Sequence, residues 1–193
     1  MEIIIHRINK INELKEIPKM FGCEIDIRTN GSNLILNHEP FGKGDFLTDY
    51  LDNFNNGTLV LNIKESGIEN YVLKEVRQRN IKSYFLLDIE FPYMYKASLN
   101  GEKNMAIRFS EKEAIENLRF FKNKINWVWI DTISKFPIKK NIVQELSEYK
   151  SCLVCPERWG RPMDIEVYKK KIINLEIKID AVMTSKKFYK KWI

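Results

Sequence analysis

Short apolar runs alternate with amphipathic stretches along the whole chain, and no other feature of the sequence limits the fold as strongly. Ile3–His6, Cys23–Arg28, Leu59–Lys64, Tyr84–Asp88, Met105–Phe109, Trp127–Asp131, Cys152–Cys155 and Ala181–Thr184 are short, apolar and rich in β-branched or aromatic residues. Runs of this kind read as strands buried on both faces. Between them the spacing predicts helices over Ile11–Phe21, Phe46–Phe54, Glu69–Arg79, Glu111–Lys122, Asn141–Tyr149, Ile165–Leu175 and Lys186–Trp192. Ser110 reads as the N-cap of the fourth of these and Glu113 as its capping-box acid. Asn30-Gly31 is a turn signal, so the segment 30–38 reads as a turn and an extra strand. Alternation of this kind implies a parallel sheet. Eight βα units in 193 residues, about 24 residues each, point to a compact (β/α)8 TIM barrel forming a single domain over 1–193. An open doubly wound sheet is the alternative. The chain after the first strand reads His6-Arg7-Ile8-Asn9-Lys10, without the glycine-rich phosphate loop of the dinucleotide-binding folds.

Composition removes several classes of protein. With 44% hydrophobic and 30% charged residues, the chain has the make-up of a globular domain. No stretch approaches the roughly 20 apolar residues of a membrane helix. Glu2 stands where a signal peptide carries basic charge, so the expectation is a cytoplasmic protein without a membrane span. Three cysteines, an odd count, fit reduced thiols better than a disulfide framework. Cys152-x-x-Cys155 lies within a strand-like run and has no second pair, so it is not read as a redox or zinc site. The net charge is +6, with local runs only at Lys169–Lys171 and Lys186–Lys191. That distribution reads as a solvated lysine surface. No nucleic-acid module motif accompanies it, so nucleic acid is not an expected partner. Net positive charge does suit a small phosphate-bearing substrate. The oligomeric state is not legible.

In a barrel of this kind the active site lies at the C-terminal ends of the strands. His6 and Arg7 end the first strand, Glu24 and Asp26 lie on the second, and His38 ends the extra strand. Asn62 and Lys64 lie on the third, followed by Asp88, Arg108, Asp131 and Glu157 near the ends of later strands. Residues two apart on a strand share a face. Glu24 and Asp26 therefore repel unless positive charge lies between them. A divalent cation, Mg²⁺ or Ca²⁺, suits such oxygens, and neutralisation by Arg7, Lys64 or Arg108 is the alternative. Asn62 offers a further oxygen, and Lys64 a point charge for phosphate. The chain has only two histidines, His6 and His38, and both fall at predicted strand ends. Histidine is the side chain suited to proton transfer near neutral pH. Trp159 sits in a polar loop, Pro156–Arg161, placed to wall a pocket.

His6-Arg7, Glu24-x-Asp26, and Asn30-Gly31 followed by Leu34–Pro40 with His38 together resemble the glycerophosphodiester phosphodiesterases. These belong to the phospholipase C-like phosphodiesterase barrels. Leu61-Asn62-Ile63-Lys64 resembles the family's third-strand motif, with Lys64 at its lysine, and Ala181–Ser185 resembles its last strand. The motif match covers the first third of the chain, and the remainder matches in layout. The chain departs from the family at Ile8, which replaces a glycine, and at Asn62, which replaces an acidic metal ligand. A glutamate–asparagine step after the first strand is also missing. The resemblance implies a divergent, metal-dependent phosphodiester hydrolase acting on a small phosphodiester, of a kind linked to surface-polysaccharide metabolism. It implies His6 and His38 as acid and base, without saying which is which. Glu24, Asp26 and Asn62 are then the ligands of one divalent cation, and Arg7, Lys64 and Arg108 the phosphate-binding cations. The alternative is an altered barrel that binds a phosphate compound as sensor or scaffold.

Overall fold

The computed structural model describes residues 1–193. Nine strands, β1 (Glu2–Ile5), β2 (Gly22–Asn30), β3 (Asn33–Leu36), β4 (Leu59–Ile63), β5 (Tyr84–Leu87), β6 (Ala106–Phe109), β7 (Trp127–Ile130), β8 (Lys150–Val154) and β9 (Ala181–Thr184), alternate with seven helices. The helices are α1 (Ile11–Lys15), α2 (Leu47–Asn53), α3 (Glu69–Gln78), α4 (Phe91–Leu99), α5 (Glu116–Phe121), α6 (Val143–Leu146) and α7 (Asp164–Asn174). The sheet runs β5-β4-β2-β1-β9-β8-β7-β6, with β3 paired to β2 off this path. Neighbours along it are consecutive βα units except for β1 and β9, the first and last strands, which lie side by side as in the (β/α)8 barrel class. The chain comprises two compact units, Ile4–Tyr95, and Met1–Ile3 with Lys96–Ile193.

In the unit Ile4–Tyr95, β2 pairs in parallel with β1 and β4, and β4 with β5. Cys23, Ile25 and Ile27 on β2 and Leu59 and Leu61 on β4 are buried. Val72, Leu73 and Val76 form the buried stripe of α3, at the spacing expected of one helix face. The hairpin β2–β3 is antiparallel, with Asn30 opposite Asn33. Gly31 at φ 62° supplies the left-handed residue its turn requires. In the other unit, β6, β7, β8 and β9 pair in parallel succession. Their cores are Phe109, Val128, Ile130, Leu153 and Val182, with Leu118, Phe121 and Ile165 packed from the helices.

Several predicted elements differ from those observed. The first helix stops at Lys15 instead of Phe21, because Pro18 disfavours helical backbone at the residue before it. The helix expected from Glu111 begins at Glu116. Ser110 Oγ instead accepts the Lys112 N–H at 3.1 Å, and the Glu113 carboxylate sits 3.4 Å from Arg108 Nε, so no capping box forms. The segment Lys186–Trp192 keeps only a 3-10 turn at Tyr189–Lys191. Asn141–Tyr149 resolves into a 3-10 turn and the short α6. Helix α4 was not expected, since its sequence Phe-Pro-Tyr-Met-Tyr-Lys-Ala-Ser-Leu has no clean polar face.

Candidate active site

The side chains of Glu24 and Asp26 emerge from the same face of β2 and are buried, at 1% and 0% exposure. Ile25 and Ile27, between and beyond them, take the other face. Asp26 is the hub. Its Oδ1 lies 3.2 Å from Lys64 Nζ and 3.2 Å from His38 Nδ1, and its Oδ2 accepts from Asn9 Nδ2 at 2.9 Å. Arg7 Nε stands 3.8 Å from that second oxygen. The Asp26 N–H donates back to Asn9 Oδ1 at 2.8 Å, so Asn9 clasps the residue from both ends. Glu24 Oε1 accepts from Asn62 Nδ2 at 2.8 Å, and Oε2 accepts the Arg7 N–H at 2.8 Å with His6 Nε2 at 3.8 Å.

Backbone geometry builds this arrangement. Asn62 is the register partner of Asp26 across β2–β4, which sets their side chains beside each other. Lys64 continues that face one step beyond β4, and its ammonium lies 3.8 Å from Asp88. Arg7 at φ 56° and Asp88 at φ 56° hold left-handed backbone within two residues of the ends of β1 and β5. Such conformations cost on the order of 1 kcal/mol or more in a non-glycine residue and gather at functional sites. At Arg7 the turn aims the amide at Glu24 and the guanidinium at His38, whose Nε2 accepts from Nη2 at 2.7 Å.

That contact assigns the state of His38. A guanidinium only donates, so Nε2 carries its lone pair, and the ring proton on Nδ1 is donated to Asp26. Asp26 thus sets the tautomer of a neutral imidazole. The two carboxyl groups are tuned in opposite directions. Burial, with the Asp26 charge next to it, pushes Glu24 up from 4.5 to about 7, although the Asn62 amide and the Arg7 N–H pull it down. Burial also acts to raise Asp26, but the Asn9 amide, the Lys64 ammonium and His38 together outweigh it and hold Asp26 below its usual value.

The site offers oxygen donors for a cation. No three His, Cys, Asp or Glu side chains converge as a ready metal site. The third donor beside Glu24 and Asp26 is an amide, and Asn62 Oδ1 is buried with no hydrogen-bond partner. A hard divalent cation takes carboxylate and amide oxygens of this kind, so Glu24, Asp26 and Asn62 fit one, with Lys64 competing for Asp26. Arg7, Asn9, Lys10, His38 and Lys43 line a polar pocket of about 540 Å³ in the same unit, with Leu36 as its apolar wall.

The structure thus brings His6, Arg7, Glu24, Asp26, His38, Asn62 and Lys64 together. Arg108 lies in the other unit, where it forms an ion pair with Asp131 at 2.7 Å. Trp159 also donates to Asp131, through Nε1 at 2.8 Å, and Glu157 accepts from the Thr184 hydroxyl. Asn9 and Arg28 belong to the candidate site and were not expected there. Asn9 had no local signal. Arg28 had one, since it continues the alternation of Glu24 and Asp26 along β2.

The strand order and the alternation of strands and helices define a (β/α)8 barrel. Among solved structures, a glycerophosphodiester phosphodiesterase from Agrobacterium tumefaciens superposes with a TM-score of 0.64 at 11% identity, over 95% of this chain and 96% of that one. A glycerophosphoryl diester phosphodiesterase from Parabacteroides distasonis gives 0.64 at 14% identity, over 94% and 81%. A second Agrobacterium tumefaciens protein, described as a putative glycerophosphoryl diester phosphodiesterase, gives 0.65 at 8% identity, over 95% and 93%. No protein-family profile and no curated protein sequence matches the chain. The chain therefore has the fold of these phosphodiesterases at far-diverged sequence.

Proposed function

We propose that the protein is a phosphodiester hydrolase acting on a small phosphodiester. The observation that carries this reading is His38, held neutral between Asp26 and Arg7 with its Nε2 lone pair directed at a guanidinium. An anionic phosphate entering beside Arg7 and Lys64 attracts both cations. Arg7 then leaves His38 Nε2, and the freed lone pair takes the proton of the attacking oxygen while Asp26 stabilises the imidazolium. His6, whose Nε2 lies 3.8 Å from Glu24 Oε2, protonates the departing alkoxide. The attacking oxygen bonds to phosphorus as the bond to the alkoxide breaks. Glu24, Asp26 and Asn62 would hold one divalent cation, Mg²⁺ or Ca²⁺, which when bound offsets negative charge on the phosphate oxygens.

The test is a panel of small phosphodiesters assayed with Mg²⁺, Ca²⁺, Mn²⁺ and EDTA, with products followed by ³¹P NMR. A phosphomonoester identifies water as the attacker, and a cyclic phosphate identifies a substrate hydroxyl. Tight binding of phosphate compounds without turnover of any diester overturns the enzyme reading in favour of a sensor or scaffold.

A further inference from the structure

Arg28 lies on β2 two residues beyond Asp26, on the face that carries Glu24 and Asp26. Its side chain is largely buried, at 17% exposure. The guanidinium does not point at a carboxylate of the site. Nε and Nη2 both donate to the carbonyl of His38, at 3.1 and 3.0 Å, and Nη1 donates to the carbonyl of Lys64, at 3.2 Å. Glu65 balances the charge from 3.8 Å, and is itself anchored by the Thr29 N–H and hydroxyl.

His38 and Lys64 sit on different segments, one on the connection after β3 and the other just past β4. Their side chains nonetheless meet the same oxygen, Asp26 Oδ1, each at 3.2 Å. A planar guanidinium with fixed N–H directions sets the distance between the two carbonyls it bridges. From these contacts we infer that Arg28 is a positioning residue for the proposed reaction: it fixes the backbone of His38 against that of Lys64, so that imidazole and ammonium reach Asp26 together.

The kinetic consequence rests on the phosphodiesterase reading, whereas the geometric consequence does not. Arg28→Gln removes the bridge, and Arg28→Lys keeps the charge but cannot reproduce three directed bonds to two carbonyls. A loosened His38 loses its hold on Asp26 and Arg7. Misplacement by about 1 Å costs on the order of 10²-fold in rate. The loss falls on kcat, with KM little changed, because Arg7, whose backbone the bridge does not hold, still meets the phosphate.

The experiment uses ¹⁵N-histidine-labelled protein and long-range ¹H–¹⁵N correlation spectra. Only two imidazoles contribute, and His6→Asn assigns them. The parent is expected to show His38 as a fixed Nδ1–H tautomer. In Arg28→Gln its signals should move to exchange-averaged positions while those of His6 stay. Val76→Ala, on the buried face of α3, is the control that loses stability without moving His38. Should Arg28→Gln not fold, Arg28→Lys carries the same comparison. His38 signals that superimpose on the parent in either folded variant overturn the positioning role. Hydrolysis of bis(4-nitrophenyl) phosphate gives the kinetic arm, where turnover is expected to slow on the order of 10²-fold. An inactive parent counts against the phosphodiesterase reading alone, and the spectra still decide the role of Arg28.

Discussion

Asn62 donates its amide N–H to Glu24 Oε1 at 2.8 Å while its own Oδ1 is buried without a partner. The third oxygen donor beside the two carboxylates is thus an uncharged amide with an orphaned oxygen. Charge count tunes the affinity of such sites for hard cations. Asn62→Asp should therefore raise Tm in Mg²⁺ or Ca²⁺ relative to EDTA by more than the parent's own rise. In EDTA alone the variant should melt lower than the parent, because a third carboxylate joins Glu24 and Asp26. Melting curves insensitive to either cation in both proteins would remove the metal from the proposed reaction.

Glu24 makes stability pH-dependent in a direction opposite to the usual carboxylate. Burial and Asp26 raise it from 4.5 to about 7, so the folded protein binds more protons than the unfolded chain across that window. Stability should fall as pH rises through the window, by up to about 3 kcal/mol, and level off above it. Asp26, held low, adds stability that is lost only as pH falls through its depressed value. Urea midpoints in EDTA between about pH 5 and pH 8 check this. Glu24→Gln should flatten the profile and be more stable than the parent at the alkaline end. A parent profile already flat over that range contradicts the raised Glu24.

Asn9 clasps Asp26 with two hydrogen bonds, one of them to the charged carboxylate. Asn9→Ala leaves the buried Asp26 N–H and one carboxylate oxygen without these partners. The expected loss is about 2–3 kcal/mol in urea unfolding. Asp26 should also rise toward its ordinary value, which weakens its hold on the His38 tautomer. A loss below about 0.5 kcal/mol would mean that water replaces the amide at little cost.

Asn9 carries no local signal in the sequence. Its partner is 17 residues away, and the two meet only because β1 and β2 pair in parallel. Glu24 and Asp26 were legible because their i, i+2 spacing forces them onto one face before any tertiary structure is known. His6 and His38 stood out through rarity and position. Arg28 shared the spacing of the acidic pair, but an arginine at a strand end reads as a solvated charge. Its carbonyl partners, on His38 and Lys64, come from backbone that no side-chain pattern encodes. The barrel order followed from the apolar runs, which burial on both faces makes mostly hydrophobic, with polar residues such as Glu24, Asp26 and Asn62 as exceptions. Helix ends were less legible. Pro18 cut the first helix, the Arg108–Glu113 contact displaced the expected capping box, and the apolar helix α4 offered no amphipathic period.

The two histidines should respond differently to the leaving group. His38 is read as the base, because its Nε2 lone pair is fixed by the Asp26 contact at Nδ1, and His6 is read as the acid beside Glu24. A base is needed whatever alcohol departs, whereas an acid matters only when the departing alkoxide is too basic to leave unprotonated. His38→Asn should lower the rate on the order of 10²-fold or more on both an alkyl diester and a 4-nitrophenyl diester. His6→Asn should do so on the alkyl diester and have little effect on the 4-nitrophenyl one, whose leaving group departs as a stabilised anion. The measurement is the turnover rate of parent and both variants on the two substrates, with circular dichroism to establish that each variant is folded. The reverse pattern, with His38→Asn silent on the activated diester, exchanges the two roles. Equal sensitivity of both variants on both substrates would mean that neither imidazole is committed to the leaving group, and the assignment of His6 as acid would be withdrawn.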